Sequence, residues 1–276
     1  MPKHVMLAHE YEKHKNKLIF PCFAQPKFNG VRAIWNGFEF ISRNGKSLIV
    51  PSLTKKMRKL FTHYIPHTLD GEIYIHDESF DLINGAVRKK SNFTEMDNRL
   101  QYVAFDIIEQ DVILRDRIEK LNWIHAVSIS ITSQPTDFLI IAMPKQINTQ
   151  VSLDLYFKEA IKAKFEGAIY RNANSKYEFK RSFNLLKRKR FFEITGILSG
   201  MVEGEKRLAG TLGAIEVKLP SGAMVRVGTG FSDNDRYHIW EDFGGDFKKG
   251  KKVTIKYQEL TKAGVPRFPV FIRWEN

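Results

Sequence analysis

The first part of the chain alternates short apolar stretches with longer helical patterns. Residues 31–35 and 38–41 flank Asn36-Gly37, a dipeptide that can adopt the positive φ angles of a tight turn, so a β-hairpin is predicted there. Helical spacing begins at Ser52, with cations on the opposite face. The apolar positions of this helix are Leu53, Met57, Leu60, Phe61 and Tyr64.

Two further helices are predicted before residue 190. One covers about residues 116–127 and the other about 150–165. In the second helix we expect one buried side formed by Val151, Leu155, Ile161 and Phe165. Short strands fill the gaps, so the first part of the chain mixes strands and helices.

After about residue 190 the pattern changes to short strands separated by glycine and turn residues. The predicted strands are residues 191–198, 213–219, 224–228, 253–260 and 270–274. One helix interrupts them, with Ser232 as its expected N-cap. A small five-stranded barrel with one inserted helix has the shape of the OB-fold, which commonly binds nucleic acid. A domain boundary near residues 188–190 follows.

Composition excludes several classes of protein. The chain has 276 residues, of which 43% are hydrophobic and 27% charged, as in globular domains. No apolar run approaches the roughly 18 residues that a transmembrane helix needs. Cys22 is the single cysteine and the first residues contain no apolar signal segment, so we expect a reducing, cytoplasmic location and no membrane partner.

The net charge favours a polyanionic partner. Lys and Arg number 44 against 31 Asp and Glu, a formal charge of +13. Nucleic acid is the leading interpretation. Charge alone is equally compatible with basic residues that only keep the protein in solution, so local motifs must decide.

Lys27, in the segment Gln25 to Arg32, is the candidate nucleophile. A lysine attacks only as the neutral amine, and nearby positive charge favours loss of its proton. Strand alternation would place Lys187 and Lys189 on one face, where they could supply that charge and neutralise a phosphoryl group. Each segment alone is more typical of a solvated basic surface than of a catalytic site.

Two glutamates lie next to a glycine near the start of a predicted apolar strand: Glu72 follows Gly71, and Glu166 precedes Gly167. Glu72 lies in the segment 69–73 and Glu166 in the segment 166–171. Mg²⁺ often binds through one or two protein carboxylates when phosphate oxygens complete its shell, which these isolated acids match. The alternative for either segment is an ordinary turn. No Cys/His cluster in the sequence indicates zinc.

Taken in order, these segments resemble the covalent nucleotidyltransferases, and specifically the minimal ATP-dependent DNA ligases of the kind carried by large algal viruses. The resemblance covers nearly the whole chain, and Asn29 stands where the family usually has aspartate. The matching segments are 27–32 (KxDGxR), 42–45 (SRxG), 69–73 (DGE), Phe105-Asp106, 166–171 (EGxxxR), 177–182 with 185–189, and the tail 266–273.

The resemblance implies an α+β fold with two domains. Residues 1–189 would form an adenylation (nucleotidyltransferase) domain of ATP-grasp-like antiparallel sheets with helices, and residues 190–276 a β-barrel OB-fold domain. It also implies a three-step reaction, in which Lys27 takes AMP from ATP, passes it to the 5′-phosphate at a nick in duplex DNA, and the 3′-hydroxyl then expels AMP. The expected enzyme is a monomer that acts at a nucleoid or a viral replication site.

The resemblance further implies roles for individual residues. Lys187 and Lys189 would bind the α-phosphate, Glu166 and Glu72 the Mg²⁺ ion or the ribose, and Phe105 the adenine ring. Gln25 and Pro26 would complete the ATP site, and Gln25 would read the amino edge of adenine. Arg32, Arg43 and Arg181 would bind phosphates of the nucleotide or of DNA. Lys206 and Arg207 would contact the DNA backbone, and Arg267 and Arg273 would bind pyrophosphate.

Two other functions remain open at this point. One is an RNA ligase or a capping-type nucleotidyltransferase, and the other is a catalytically inactive nucleic-acid-binding module. The tail Arg267 to Phe271 favours DNA ligation over both RNA ligation and capping.

Overall fold

The computed structural model describes residues 5–62, 67–243, 250–261 and 263–275. The chain divides into two compact units, Met1–Lys189 and Arg190–Asn276, and each is described by itself. Over the described ranges, no helix combines the length and apolar character needed to cross a bilayer.

The first unit consists of two β-sheets with helices against them. Its strands are β1 (Leu7–Glu10), β2 (Cys22–Lys27), β3 (Val31–Trp35), β4 (Phe40–Ser42), β5 (Ser47–Leu48), β6 (Leu69–Tyr74), β7 (Gln101–Ile107), β8 (Leu139–Ile141), β9 (Lys145–Ile147), β10 (Gly167–Asn172) and β11 (Arg181–Lys189). Its helices are α1 (Pro51–Leu60), α2 (Phe80–Arg88), α3 (Glu95–Asn98), α4 (Leu114–Thr132) and α5 (Gln150–Lys162), with short 3-10 turns at Tyr11–Lys13 and Lys15–Lys17.

The order of the strands brings distant motifs together. A five-stranded sheet runs β1-β11-β10-β2-β9, and a six-stranded sheet runs β5-β4-β3-β6-β7-β8. Apolar residues of α1, α2 and α4 form one core with the six-stranded sheet, and α5 packs on the five-stranded sheet. Strands β2 and β3 belong to different sheets, so the residues between them lie where the sheets approach each other.

The predicted hairpin is confirmed, but its loop is longer than a two-residue turn. Trp35 pairs with Phe40, so the loop has four residues. The Oδ1 atom of Asn36 accepts hydrogen bonds from the backbone nitrogens of Phe38 at 2.9 Å and Glu39 at 2.8 Å, which holds this wider loop. Phe38 is therefore exposed, and Phe40 takes the buried position beside Trp35.

The helices predicted near residues 52 and 116 are confirmed as α1 and α4, although Tyr64 lies outside the described residues. Helix α5 is also present, but its predicted buried side is wrong. Val151 and Leu155 are exposed, and the buried side carries the i, i+3, i+4, i+7 set Leu153, Tyr156, Phe157 and Ala160. That set fits helical spacing better than the positions that the sequence pattern favoured.

A buried charge cluster joins the two sheets. Asp106 of β7 is ion-paired with Arg117 of α4, at 2.8 Å between Oδ1 and Nε, and with Arg171 of β10. All three side chains are buried. Burial alone would raise the pKa of Asp106, but the two guanidinium groups lower it below its usual value. The carboxylate therefore stays charged and fixes three elements together.

The second unit is the predicted OB-fold. Its strands are β12 (Phe192–Glu203), β13 (Leu212–Lys218), β14 (Met224–Val227), β15 (Lys252–Tyr257), β16 (Glu259–Leu260), β17 (Pro266–Arg267) and β18 (Val270–Trp274). Five of them form a sheet of order β14-β13-β12-β15-β18, and the backbone nitrogen of Phe271 donates to Thr229 O at 2.8 Å, which links its two edges.

The inserted helix of this unit, α6 (Asp233–Phe243), begins as predicted. Ser232 caps it, because its hydroxyl accepts from the backbone nitrogen of Asp235 at 3.1 Å while the Asp235 carboxylate accepts from Ser232 N at 2.8 Å. The α+β fold class is therefore confirmed in both of its parts.

Removing the charge of Asp106 is expected to destabilise the first unit. Asp106→Asn leaves two buried guanidinium groups without a counter-charge, which costs about 3–5 kcal/mol. Asp111→Asn is the matched control, because the Asp111 side chain is 96% exposed. Urea unfolding should show a lower midpoint for Asp106→Asn alone, and equal midpoints for the two variants would contradict the role of the cluster.

Candidate active site

A cavity of about 840 Å³ lies between the two sheets of the first unit. Its walls come from both sheets, with Gln25, Pro26 and Lys27 on one side and Arg32, Glu72 and other residues of the six-stranded sheet on the other. Cations outnumber carboxylates in the lining. The cavity is therefore suited to a polyanionic ligand.

Lys27 is the last residue of β2 and lies opposite Gly167 of β10. Its ammonium group is ion-paired with Glu166, and the Glu166 backbone nitrogen donates to Lys27 O at 3.0 Å. Residue 167 must be glycine here, since a Cβ atom would meet Arg188 O at 2.0 Å. Close strand pairing thus holds the candidate nucleophile beside one carboxylate.

Glu166 is shared by two of the predicted lysines. Its second oxygen, Oε1, lies 2.6 Å from the Lys189 ammonium group. Burial would raise the pKa of Glu166, but Lys27 and Lys189 lower it below its usual value. The sequence predicted that Lys187 and Lys189 supply positive charge near Lys27. In the structure each of them is paired with a carboxylate, so that expectation needs correction.

Glu72, the second predicted metal ligand, faces Lys27 from β6. Its Oε1 atom accepts a hydrogen bond from the backbone nitrogen of Gly30 at 2.8 Å. Burial raises the pKa of Glu72, although Lys27, Gly30 and Arg32 oppose the shift. Gly30 has no room for a side chain, because a Cβ atom would lie 2.3 Å from Ile73 O. The loop after Lys27 is thereby held against β6.

Arg32 is fixed by Asp70 on the neighbouring strand. Its Nε atom donates to Asp70 Oδ1 at 2.6 Å, and the Tyr177 hydroxyl donates to Asp70 Oδ2 at 2.6 Å. The guanidinium carbon of Arg32 lies 4.8 Å from the centroid of the Phe105 ring. The structure thus brings Arg32 and Phe105 together in the cavity, and it adds Asp70 and Tyr177, to which the sequence assigned no role.

Gln25 is fully engaged with the protein. Its amide nitrogen donates to Ala142 O at 2.8 Å and to Phe105 O at 3.1 Å, and its oxygen accepts from Arg171 at 3.3 Å. Reading an adenine edge would require Gln25 to exchange these partners. The geometry instead connects Gln25 to the main chain of Phe105.

The paired lysines of β11 have different surroundings. Lys187 lines the cavity, and its ammonium group lies 2.9 Å from Glu10 Oε1. Lys189 is bound to Glu166, beside Lys27. Arg181, at the start of the same strand, lines the cavity and donates to Ala8 O.

Four exposed cations form the mouth of the cavity: Arg43, Lys46, Arg88 and Lys90. We call them the cationic rim. Within the described part of the chain, none of the four has an acidic partner in an ion pair, unlike Lys27, Arg32, Arg171 and Lys187 deeper in the cavity. Only Arg43 was predicted from the sequence. The run Arg88-Lys89-Lys90 was visible, but no motif indicated that it faces this cavity.

The carboxylates fit a metal ion that arrives with a nucleotide. Among the described residues, no group of three His, Cys, Asp or Glu side chains could hold a metal ion. Glu72 and Glu166 are two oxygen donors near Lys27, and Mg²⁺ commonly uses one or two carboxylates together with phosphate oxygens. The donor set is therefore compatible with a Mg²⁺–nucleotide complex.

Three of the four predicted site residues of the second unit are ion-paired within that unit. Arg207 lies 2.8 Å from Asp233, in an exposed ion pair next to Lys206. Arg267 lies 3.1 Å from Glu259, and Arg273 lies 3.0 Å from Glu275. Their predicted contacts with DNA or pyrophosphate stay predictions.

Family models match both units. The family described as "ATP dependent DNA ligase domain" matches residues 5–189, and the family described as "DNA ligase OB-like domain" matches residues 203–274. The DNA ligase of Haemophilus influenzae is 27% identical over 272 residues, which cover 98% of this chain and 91% of that protein. The DNA ligase of African swine fever virus is 29% identical over 88% of this chain, which spans 60% of the viral protein.

Solved structures agree with this assignment. The Chlorella virus DNA ligase–adenylate is 28% identical with a TM-score of 0.59, and the match covers 100% of this chain and 99% of that one. A Lig E DNA ligase shares the fold, with a TM-score of 0.79, 24% identity and 98% of each chain covered. This chain belongs to the ATP-dependent DNA ligase family, and the sealing of DNA strands with ATP is its expected activity.

Proposed function

We propose that this protein seals 5′-phosphate/3′-hydroxyl nicks in duplex DNA through AMP linked covalently to Lys27. The observation that carries the proposal is the position of Lys27, at the end of β2, ion-paired with Glu166 and facing a cavity rich in cations. A cavity of this charge suits a polyphosphate, and the amine of a lysine can attack a phosphorus atom to form a phosphoramidate.

The reaction has three nucleotidyl or phosphoryl transfers. The neutral amine of Lys27 attacks the α-phosphorus of ATP and loses one proton, the bond from that phosphorus to the oxygen that bridges the α- and β-phosphates breaks, and pyrophosphate leaves. An oxygen of the DNA 5′-phosphate then attacks the same phosphorus and releases Lys27. Finally the 3′-hydroxyl attacks the 5′-phosphorus, loses its proton and expels AMP. Positioning and charge neutralisation supply most of the catalysis in such steps.

Lys187 and Lys189 are assigned to the α-phosphate. Lys187 supports this role directly, because its side chain lines the cavity. Lys189 shares Glu166 with Lys27, so it keeps a counter-charge on that carboxylate when Lys27 leaves the ion pair to attack. Lys27, Arg32, Lys187 and Lys189 are thus the proposed catalytic residues.

The adenosine part of ATP is assigned to the wall that carries Phe105 and Pro26. Phe105 stacks on adenine, and Gln25 positions Phe105 through its hydrogen bond to the main chain. The three arginines bind phosphates of the nucleotide or of the nicked strand, because a guanidinium group matches phosphate geometry. These arginines, which line the same cavity as Phe105 and Pro26, are Arg32, Arg43 and Arg181.

Glu72 and Glu166 are the residues that would hold Mg²⁺. Alternatively, they would contact the ribose of ATP. Bound there, Mg²⁺ would offset the negative charge of the phosphates. The chain's own contribution is to keep Glu166 ionised, since Lys27 and Lys189 lower the pKa of its carboxyl group against the effect of burial.

The second unit completes the proposal. Lys206 and Arg207 contact the DNA backbone, and Arg267 and Arg273 orient pyrophosphate. The protein acts as a monomer at the nucleoid or viral replication site where nicked DNA is found. The capping and inactive-module alternatives lose support from the ligase family match along the first unit.

Lys27 is expected to carry the label when the protein is incubated with α-labelled ATP and Mg²⁺. Lys27→Ala should leave no detectable label, because no other amine replaces the nucleophile. Lys158→Ala, which removes an exposed lysine of α5, is the control and should label normally. A labelled Lys27→Ala chain would show that another residue is the nucleophile.

Nicked DNA is expected to be the preferred polymer. A DNA duplex with a 5′-phosphate at the nick should be sealed faster than a nicked RNA duplex of the same sequence, in gel assays of ligated product at equal enzyme concentration. Faster sealing of RNA would support the RNA ligase alternative.

The cationic rim is expected to contact DNA phosphates. Salt weakens such binding with a log–log slope of about −0.9 per neutralised phosphate, so Arg88→Ala/Lys90→Ala should flatten the slope by about that amount for each phosphate that the variant no longer binds. The control is Lys158→Ala/Lys162→Ala on α5, which removes equal charge away from the cavity. An unchanged slope combined with slower labelling by ATP would assign the rim to the nucleotide instead.

A further inference from the structure

The N-terminal strand of the first unit brings a carboxylate to Lys187. Strand β1 runs parallel to β11 at the edge of the five-stranded sheet, and Glu10 lies in register with Lys187. Glu10 Oε1 is 2.9 Å from the Lys187 ammonium group. No sequence motif indicated this contact, because the two residues are far apart in the chain and only the strand pairing joins them.

The next acidic residue makes a similar contact that faces away from the cavity. Glu12 lies 3.0 Å from Arg188, which is also paired with Asp154. Neighbouring strand residues point to opposite faces, so Lys187 faces the cavity and Arg188 packs over the Phe157 ring at 4.4 Å. Two nearby acids thus bind two neighbouring cations, but only Glu10 reaches a residue of the proposed site.

The contact of Glu10 contributes more to geometry than to stability. The Glu10 side chain is 43% exposed and that of Lys187 is 24% exposed, and ion pairs of that exposure add little to the free energy of unfolding. Lysine has a flexible four-carbon side chain, so one fixed partner restricts where its ammonium group lies. That group has three donors and can keep Glu10 while it donates to a phosphate oxygen.

We propose that Glu10 is a positioning residue for the formation of lysyl-AMP, which holds the Lys187 ammonium group at the cavity wall. The inference rests on the proposed function, in which Lys187 neutralises the α-phosphate. Glu10 acts through Lys187 and makes no contact with the reacting atoms.

If Glu10 positions Lys187, replacing it should change the reaction rate in the opposite direction from that expected of a nearby negative charge. A carboxylate near a polyphosphate repels it, so Glu10→Gln would strengthen ATP binding or accelerate the reaction if Glu10 were only a nearby negative charge. If Glu10 positions Lys187, the same variant slows the reaction at saturating ATP. Glu10→Asp keeps the charge but shortens the side chain, and it should fall between the wild type and Glu10→Gln.

The test is the single-turnover rate of lysyl-AMP formation at saturating ATP, measured on the full chain. Glu10→Gln should lower this rate by about 10- to 100-fold, the range expected for a misplaced catalytic group. Glu12→Gln, the matched control, should stay within about 2-fold of the wild type because its partner Arg188 keeps Asp154. In a Lys187→Ala background, Glu10→Gln should cause no further loss of rate, because the two residues act as one unit.

Two results would overturn the inference. One is a Glu10→Gln rate equal to or above that of the wild type, and the other is an equal loss of rate from Glu10→Gln with and without Lys187. A wild-type protein that forms no lysyl-AMP would overturn the proposed function itself, so the two failures are distinguishable.

Discussion

The carboxylate of Glu166 lies between the ammonium groups of Lys27 and Lys189, and the arrangement of the active site depends on this contact. Three strands meet there, because Gly167 of β10 pairs with Lys27 on one side and with Lys189 on the other. Position 167 requires a glycine, because a Cβ atom there would collide with the backbone oxygen of Arg188. The backbone therefore sets the distances between Lys27, which is the proposed nucleophile, its acidic partner Glu166 and Lys189, which is proposed to bind phosphate.

The cations around this centre fall into two groups with different physical roles. Deep in the cavity, Asp70 holds the half-buried Arg32 and Asp106 holds the buried Arg171, since a guanidinium group withdrawn from water requires such a partner. At the mouth, the four residues of the cationic rim have no acidic partner among the described residues. Paired cations give a fixed shape, while unpaired exposed cations attract and guide a polyanion.

Much of the fold could be predicted from local sequence. The hairpin after Lys27, the helices α1 and α4, the Ser232 cap and the β-rich second unit all follow from short-range patterns. Two predictions were wrong, the length of the hairpin loop and the buried side of α5, because the local sequence pattern is compatible with more than one arrangement at these places. Asn36 bonds to Phe38 and Glu39 and widens the hairpin loop, and α5 turns Leu153 rather than Val151 towards the sheet.

Residues of the candidate site could be predicted only where they belong to a recognisable sequence motif. Lys27, Glu72, Glu166 and Lys187 were identified from motifs, and they line or adjoin one cavity. The contacts of Glu10, Tyr177 and Arg88 with that site could not be read from the chain, because each joins positions far apart in sequence.

The sequence by itself determined the family, the hairpin, several of the helices and the candidate nucleophile Lys27, because these depend on residue type and short spacing. The tertiary structure alone decided which carboxylate neutralises each cation. That choice depends on strand pairing between distant segments, such as β1 beside β11 and β10 between β2 and β11. Ion pairs need contact within a few ångströms, and no pattern along the chain encodes such a distance.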